Sequence, residues 1–561
     1  MHDLVIRGGT VIDGTGAPKC TADVAVAGGV IVAVGKDVGA ARRVIDADGL
    51  LVLPGFVDIH THYDGQATWD PYLTPSSWHG VTTAVFGNCG VGFAPVRKGS
   101  TDYLINLMEG VEDIPGTVLA EGVSFDWESF PQYLDALAAM PRAIDIGAQV
   151  PHAALRFYVM GERGAEHAEA PGEAEMERMG ALLEEALRSG ALGFTTSRTT
   201  KHKARDGRLT PSLSAREPEL FALARAMKRA GRGVLEVNSD FGPGEFEALR
   251  AAAEIAGRPL SCLLVQVQAE PDLWRETLGQ IHAARAAGLE ANAQVGSRAI
   301  GVLMGLDTSV HPFLISDAWK ALAKLPHPER VARIRADAEL RRALIAPPPE
   351  GKVARLGITL DRVYPLGDRP DYEPDAGMSV AAMAKRAGRD ARELALELMM
   401  ADDGTGLLLH PFENYSGGDL EVVREMLTDE ATVLGVADGG AHVGTICDAS
   451  SPTTLLTHWG RDRTRGAKLP LEFLVKRQAR DTAMAYGLSD RGLLAPGLKA
   501  DINVIDFDRL RVLKPKVAYD LPAGGKRLVQ RAEGYRHVFV AGVETLRDDA
   551  HTGALPGKLV R

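Results

Sequence analysis

The chain has 561 residues, 45% of them hydrophobic and 24% charged, which is the mix of an ordinary globular protein and excludes a disordered or fibrous one. Its 63 basic residues against 74 acidic ones give a net charge of −11, so there is no electrostatic footprint for nucleic acid or an anionic membrane. Four widely spaced cysteines, Cys20, Cys89, Cys262 and Cys447, argue against a disulfide framework and for a reducing, cytoplasmic compartment. The opening MHDLVIRGGTVIDG does not read as a secretory leader, and no apolar run of about 18 residues or more occurs.

From Leu4 to Leu53 the sequence consists of short alternating runs broken by glycine pairs or Asp-Gly, which predicts small antiparallel strands. The same texture returns in ADINVIDFDRL (500–510) and RHVFVAGVETL (536–546). One small β-sandwich-like domain is therefore expected from both chain ends, 1–55 plus 488–561. Over 56–487 the period changes. GFVDIHTH, GVTTAVFGN, AIDIGAQV, GALGFTTSR, GVLEVNSD, PLSCLLVQVQ, GLEANAQVG and TVLGVADGG alternate with helical segments such as 173–190 and 215–231, which end in glycine. Eight such strands, with no GxGxxG loop after the first, predict an α/β fold of the (β/α)8 TIM-barrel type. The stretch 305–429, with extra helices and the Pro-rich APPPEGK (346–352), is expected to be an insertion near the barrel mouth.

Barrel enzymes carry reactive groups where strands end at the C-terminal face. The first strand ends with His60 and His62. Residues two apart on a strand point to one side, so both imidazoles can converge on a cation, although an HxH pair also serves ordinary packing. The second strand ends at Cys89, between Asn88 and Gly90, where thiolate ligation and simple burial are both open. His152, Lys201 and His202 follow the third and fourth strands and are equally explained by exposure to solvent. The last strand ends at Asp438, placed to reach the same cation and to act as general acid and base; capping of a following helix is the plain alternative. His442 is a further candidate, or a simple loop residue. Arg198 and Arg298 are candidates to orient an anionic substrate, against the alternative of ordinary ion pairs. Tyr63, Trp69 and Tyr415 are candidate pocket walls, or packing.

IRGGTVIDGTG, LPGFVDIHTHYD, GVTTAVFGNCGVGFAP, GALGFTTS and LLAPGLKADINVID together make the chain resemble the N-acyl-D-amino-acid deacylase (D-aminoacylase) branch of the amidohydrolase superfamily. The likeness runs over nearly the full length; PGxxDxH and PGxxAD mark the superfamily, and GNCG marks the branch. It implies a metal-dependent hydrolase of a carbon–nitrogen amide bond in a small acylated amine or amino-acid derivative, with zinc-activated hydroxide attacking the carbonyl. It also implies His60, His62 and Asp438 on one metal site, Asp438 as proton shuttle, and Cys89 as the ligand replacing the carboxylated lysine of other branches. The expected cofactor is one zinc ion, with two ions or another divalent metal as alternatives. The expected partner is a small-molecule substrate, not nucleic acid or membrane, with a homo-oligomer left open.

The branch pattern ends the fifth and sixth strands with histidines, whereas this chain has Asn238 and Leu264 there, and LLVQVQAE lacks the branch's lysine. Several arrangements stay open. One cation on His60, His62 and Asp438 is the first, and a second site from Glu236, Asn238, Asp240, Gln266 and Gln268 is another. A carboxylated Lys201 and a barrel that binds no metal are the others. The nearest rival is a cyclic amide or imide hydrolase of dihydroorotase or dihydropyrimidinase type using Lys201. From another class, the rival is a catalytically degenerate barrel acting as a binding or scaffold protein.

Overall fold

The computed structural model describes residues 1–347 and 358–561. Most of the Pro-rich stretch 346–352 expected in the insertion lies outside the described residues. All eight apolar runs form strands: Phe56–Asp58, Val81–Phe86, Asp145–Ala148 with Val150–Pro151, Gly193–Arg198, Val234–Ser239, Leu260–Leu263, Ala291–Val295 and Thr432–Leu434. They are parallel and buried almost throughout, and burial on both faces is why they read as continuous apolar runs instead of alternating ones. The first three make one ladder; Val150–Pro151 and the remaining five make a second. Residues 145–151 feed both ladders, and Thr61 bridges Gly439 in parallel, which sets the ends of the first and last strands side by side. Helices Glu173–Arg188 and Glu217–Ala230 fall where helical spacing predicts them, the second ending at Gly231 with φ 70°.

Strands from both chain ends share a nine-stranded sheet in which Leu51–Pro54 lies between His2–Val11 and Ile502–Ile505. One hydrophobic core runs through this sheet and the parallel strands, joining Leu53, Ile505 and Tyr535 to Phe56, Val81 and Phe86. A buried ionic cluster adds a second fastening. Asp145, on the third parallel strand, accepts hydrogen bonds from Arg491 and Lys499, each at 2.7 Å, and Lys499 also pairs with Asp501.

Between Ala291–Val295 and Thr432–Leu434 the chain builds an additional unit that begins at Ile300. It holds a three-stranded antiparallel sheet, Ile300–Met304, Leu407–Glu413 and Tyr364–Leu366, and several helices around a separate core of Met304, Phe313, Trp319, Ile334, Met399 and Leu408. Among the described residues no helix is long and apolar enough to cross a membrane.

Glu373 ties this unit to the rest. Its buried carboxylate accepts hydrogen bonds from Arg463 Nε and Nη2, both at 3.0 Å, and contacts His458 Nε2 at 2.9 Å. Burial alone would raise its pKa, but His458 and Arg463 hold it down at about 2. Glu373→Ala should cost about 2 kcal/mol in urea unfolding at pH 7, because it removes one of the two carboxylates that pair with buried Arg463 and leaves only Glu421. The folded pKa lies below the unfolded value of about 4.3, so this contribution is full above that value and lost as the pH falls towards 2. The stability curves of parent and variant should therefore converge in acid.

Candidate metal and catalytic site

Two backbone hydrogen bonds build the site. Asp438 N–H donates to His60 O at 3.1 Å, and His62 N–H donates to Gly439 O at 2.7 Å. Asp438 itself turns left-handed, with φ 49°. The Gly-Gly pair after it is required: a Cβ at Gly439 would lie 2.6 Å from Ser76 Oγ, and Gly440 has φ 90°. The plain alternative for Asp438, capping a helix, is not what is found. Its Oδ1 lies 3.5 Å from His60 Nε2 and 3.7 Å from His62 Nε2.

Cys89 enters from the second strand. It sits at φ 54° in the tight Asn-Cys-Gly turn, its N–H donates to Glu236 Oε2 at 3.1 Å, and its Sγ lies 3.4 Å from His60 Nε2. Ligand atoms of His60, His62 and Cys89 all lie within 4.8 Å of one another, and all three residues are buried. His60 Nδ1 donates to Gln294 Oε1 at 2.7 Å, which leaves its Nε2 bare towards Asp438. Gln294 is itself oriented by donating to Ser261 Oγ at 3.0 Å.

Burial pushes His60 down to about 4. It would also lower His62, but Glu112, Asp438 and Cys89 together hold that imidazole well above its ordinary value. Asp438 would be raised by burial, yet its neighbouring histidines keep it at about 2. Burial drives the Cys89 thiol up to about 12 and Glu236 up to about 8. Two imidazoles and a thiol whose ligand atoms lie within 4.8 Å of one another, with a carboxylate oxygen 3.5 and 3.7 Å from the imidazoles, fit a borderline-soft divalent ion such as zinc. The buried polar atoms around them, His62 Nδ1, Glu236 Oε1 and both oxygens of Glu112, have no hydrogen-bond partner within the protein.

The site opens into a cavity of about 580 Å³ lined by His60, His62, Cys89, Asp438, His202 and His442. The two arginines expected to orient substrate are elsewhere, and this corrects that expectation. Arg198 pairs with Glu245 and donates to Ser212 O, while buried Arg298 pairs with Asp448 at 2.8 Å and lies over the Tyr372 ring. Their charges are already satisfied, and neither lines the cavity. Tyr63 and Tyr415 spend their hydroxyls on Ser76 and Pro374 O, and Trp69 packs against the core; the aromatic walls are Phe241, Trp274 and Phe412. His152 is buried between Thr196 and Glu219, not exposed.

Of the five oxygen donors considered for a second site, Glu236 and Asn238 adjoin Cys89. Asp240 is held by Thr199 and Thr200, Gln266 by Asn414 and Ser416, and neither Gln266 nor Gln268 lines the cavity. Lys201, with its side chain 49% exposed, reaches out to Glu413, so the thiol and not this lysine adjoins the histidines. Glu112 escaped the sequence reading: it ends a helix, belongs to no motif, and meets His62 only through the tertiary fold.

The profile of the Amidohydrolase family matches residues 43–545. D-aminoacylase of Alcaligenes xylosoxydans xylosoxydans is 29% identical, with 100% of this chain and 97% of the relative covered. A solved D-aminoacylase with a binuclear metal centre, activated by one metal and attenuated by the second, matches at 26% identity and TM-score 0.66, with both chains covered in full. N-acyl-D-glutamate deacylase from Bordetella bronchiseptica, solved with zinc and a phosphonate mimic of the tetrahedral intermediate, matches at 26% identity and TM-score 0.66 over 100% of this chain and 99% of that one. Of the cysteines, Cys20 is exposed and Cys89, Cys262 and Cys447 are buried. Brief iodoacetamide treatment of the folded protein should therefore modify Cys20 first and leave the other three unmodified, as read by peptide mass spectrometry.

Proposed function

The chain belongs to the amidohydrolase family, and from that premise we propose that it hydrolyses the amide bond of a small N-acylated amine or amino-acid derivative at His60, His62, Cys89 and Asp438. What carries this reading is that His60 Nε2 and His62 Nε2 lie 3.5 and 3.7 Å from the same Asp438 Oδ1, in a cavity that also holds the Cys89 thiol. We read the eight parallel strands as a TIM-type (β/α)8 barrel with these groups at its C-terminal ends. His60, His62, Cys89 and Asp438 would hold a zinc ion, which when bound would supply Lewis acidity. One ion is the expected number, because Leu264 offers no ligand and Asp240 and Gln266 are engaged elsewhere.

Asp438 is the group placed to take a proton at Oδ1 and deliver it to the amide nitrogen, which leaves poorly unless protonated. Gln294 fixes the tautomer of His60. His202, which burial and nearby positive charge bring down to about 3, stays neutral; Ser197 Oγ holds its Nδ1 at 2.9 Å, and with His442 it is assigned the orientation of the substrate amide. Leu263, Leu264, Val267, Phe241 and Phe412 make the walls mainly apolar, so the acyl or side-chain group is apolar. Among the described lining residues Lys201 alone bears an ammonium or guanidinium group, and Glu413 already holds it. A cytoplasmic location accords with four unpaired cysteines.

Elemental analysis of purified protein should find about one divalent ion per chain, lost or strongly depleted in His60→Ala and Asp438→Ala. Equal metal content in all three proteins would sink this assignment. In an amine-release assay, N-acyl-D-amino acids with apolar side chains should be cleaved faster than N-acyl-D-glutamate or cyclic imides. The opposite ranking would show that the walls have been misread.

A further inference from the structure

Glu112 is the last residue of helix Thr101–Glu112 and is 1% exposed. Both its carboxylate oxygens lack a hydrogen-bond partner. Such a group costs stability twice, through desolvation without compensating donors and through its place at the negative end of the helix dipole. Packing alone would be better served by an apolar residue of similar size. Its polar neighbours give the reason for keeping it. Oε1 lies 3.3 Å from His62 Nδ1, and Oε2 lies 3.7 Å from His442 Nε2. His62 Nδ1 has no other partner, while the opposite nitrogen of that ring faces Asp438.

The same helix end also holds the loop that carries Asp438. His442 N–H donates to Glu112 O, and Gly444 N–H donates to Asp113 Oδ2 at 3.2 Å. At His60 the corresponding ring nitrogen is held by the Gln294 amide oxygen. A partner on the far nitrogen of a ligating histidine fixes the tautomer and the ring orientation.

We propose that Glu112 is a positioning residue: its carboxylate, 3.3 Å from His62 Nδ1 without a formed hydrogen bond, keeps the hydrogen on that nitrogen so that Nε2 is the nitrogen free to take an ion, and it steadies His442 beside it. This rests on the reading of His60, His62 and Asp438 as ion ligands. The test is zinc affinity, measured by competition with a chromophoric chelator, together with the d–d spectrum of the cobalt-loaded protein and the melting temperature of the metal-free protein. Glu112→Leu should bind zinc roughly 10- to 100-fold more weakly and show an altered cobalt spectrum, with a metal-free melting temperature equal to or above that of the parent. Glu112→Gln should keep most of the affinity, since its amide oxygen would still face that hydrogen, as the Gln294 oxygen faces the one on His60. Parental affinity in Glu112→Leu would overturn the proposal. So would failure of that variant to fold, or a Glu112→Gln variant as weak as Glu112→Leu. Absence of zinc binding by the parent would instead overturn the ligand reading beneath it.

Discussion

The site depends on the backbone seam between the first and last parallel strands. Two hydrogen bonds, Asp438 N–H to His60 O and His62 N–H to Gly439 O, fix how far the two strand ends slide past each other. A slip of one residue would turn every side chain to the opposite face. In register, the seam lays a carboxylate beside two imidazoles that are distant in sequence. The Gly439-Gly440 pair lets the two backbones approach that closely, and the Asn-Cys-Gly turn brings the thiol in from the neighbouring strand.

The seam also concentrates acid in a dry place. Asp58, Asp64, Glu112 and Glu236 are buried, and Asp438 is nearly so, at or near the two histidines. Burial pushes Asp58 and Asp64 to about 7 and Glu236 to about 8, while Asp438 is held at about 2 by positive neighbours. Such a cluster is a poor way to fill a core and a suitable surrounding for a divalent cation. Stability is given up locally so that ligand geometry and charge are set before substrate arrives.

Much of this was legible in the sequence because strand ends are set locally. A run of apolar residues followed by HTH, NCG or ADGG gives both the strand and the group that projects from its end, and those positions are where the structure has them. Arg198 and Arg298 were misjudged for a different physical reason. Their partners Glu245 and Asp448 lie 47 and 150 residues away, and only the folded chain shows that those charges are satisfied. Gln294 and Glu112 were invisible for the same reason: one sits within a strand and the other ends a helix, and each matters through the ring nitrogen it touches. The additional unit after Ala291–Val295 was legible as extra helices but not as the source of cavity walls, which come from Ile300, Val302 and Phe412.

Asp145, Arg491, Lys499 and Asp501 form their buried ionic cluster between the third parallel strand and the segment leading into the nine-stranded sheet. Separating those elements would expose unpaired charges and split a hydrophobic core common to both. The sheet built from the chain ends and the parallel strands are therefore fastened to each other twice, by a shared core and by buried ion pairs. The unit beginning at Ile300 has a core of its own and supplies Ile300, Val302 and Phe412 to the cavity wall, so substitutions inside that core would reshape the pocket without touching the seam that holds His60, His62 and Asp438.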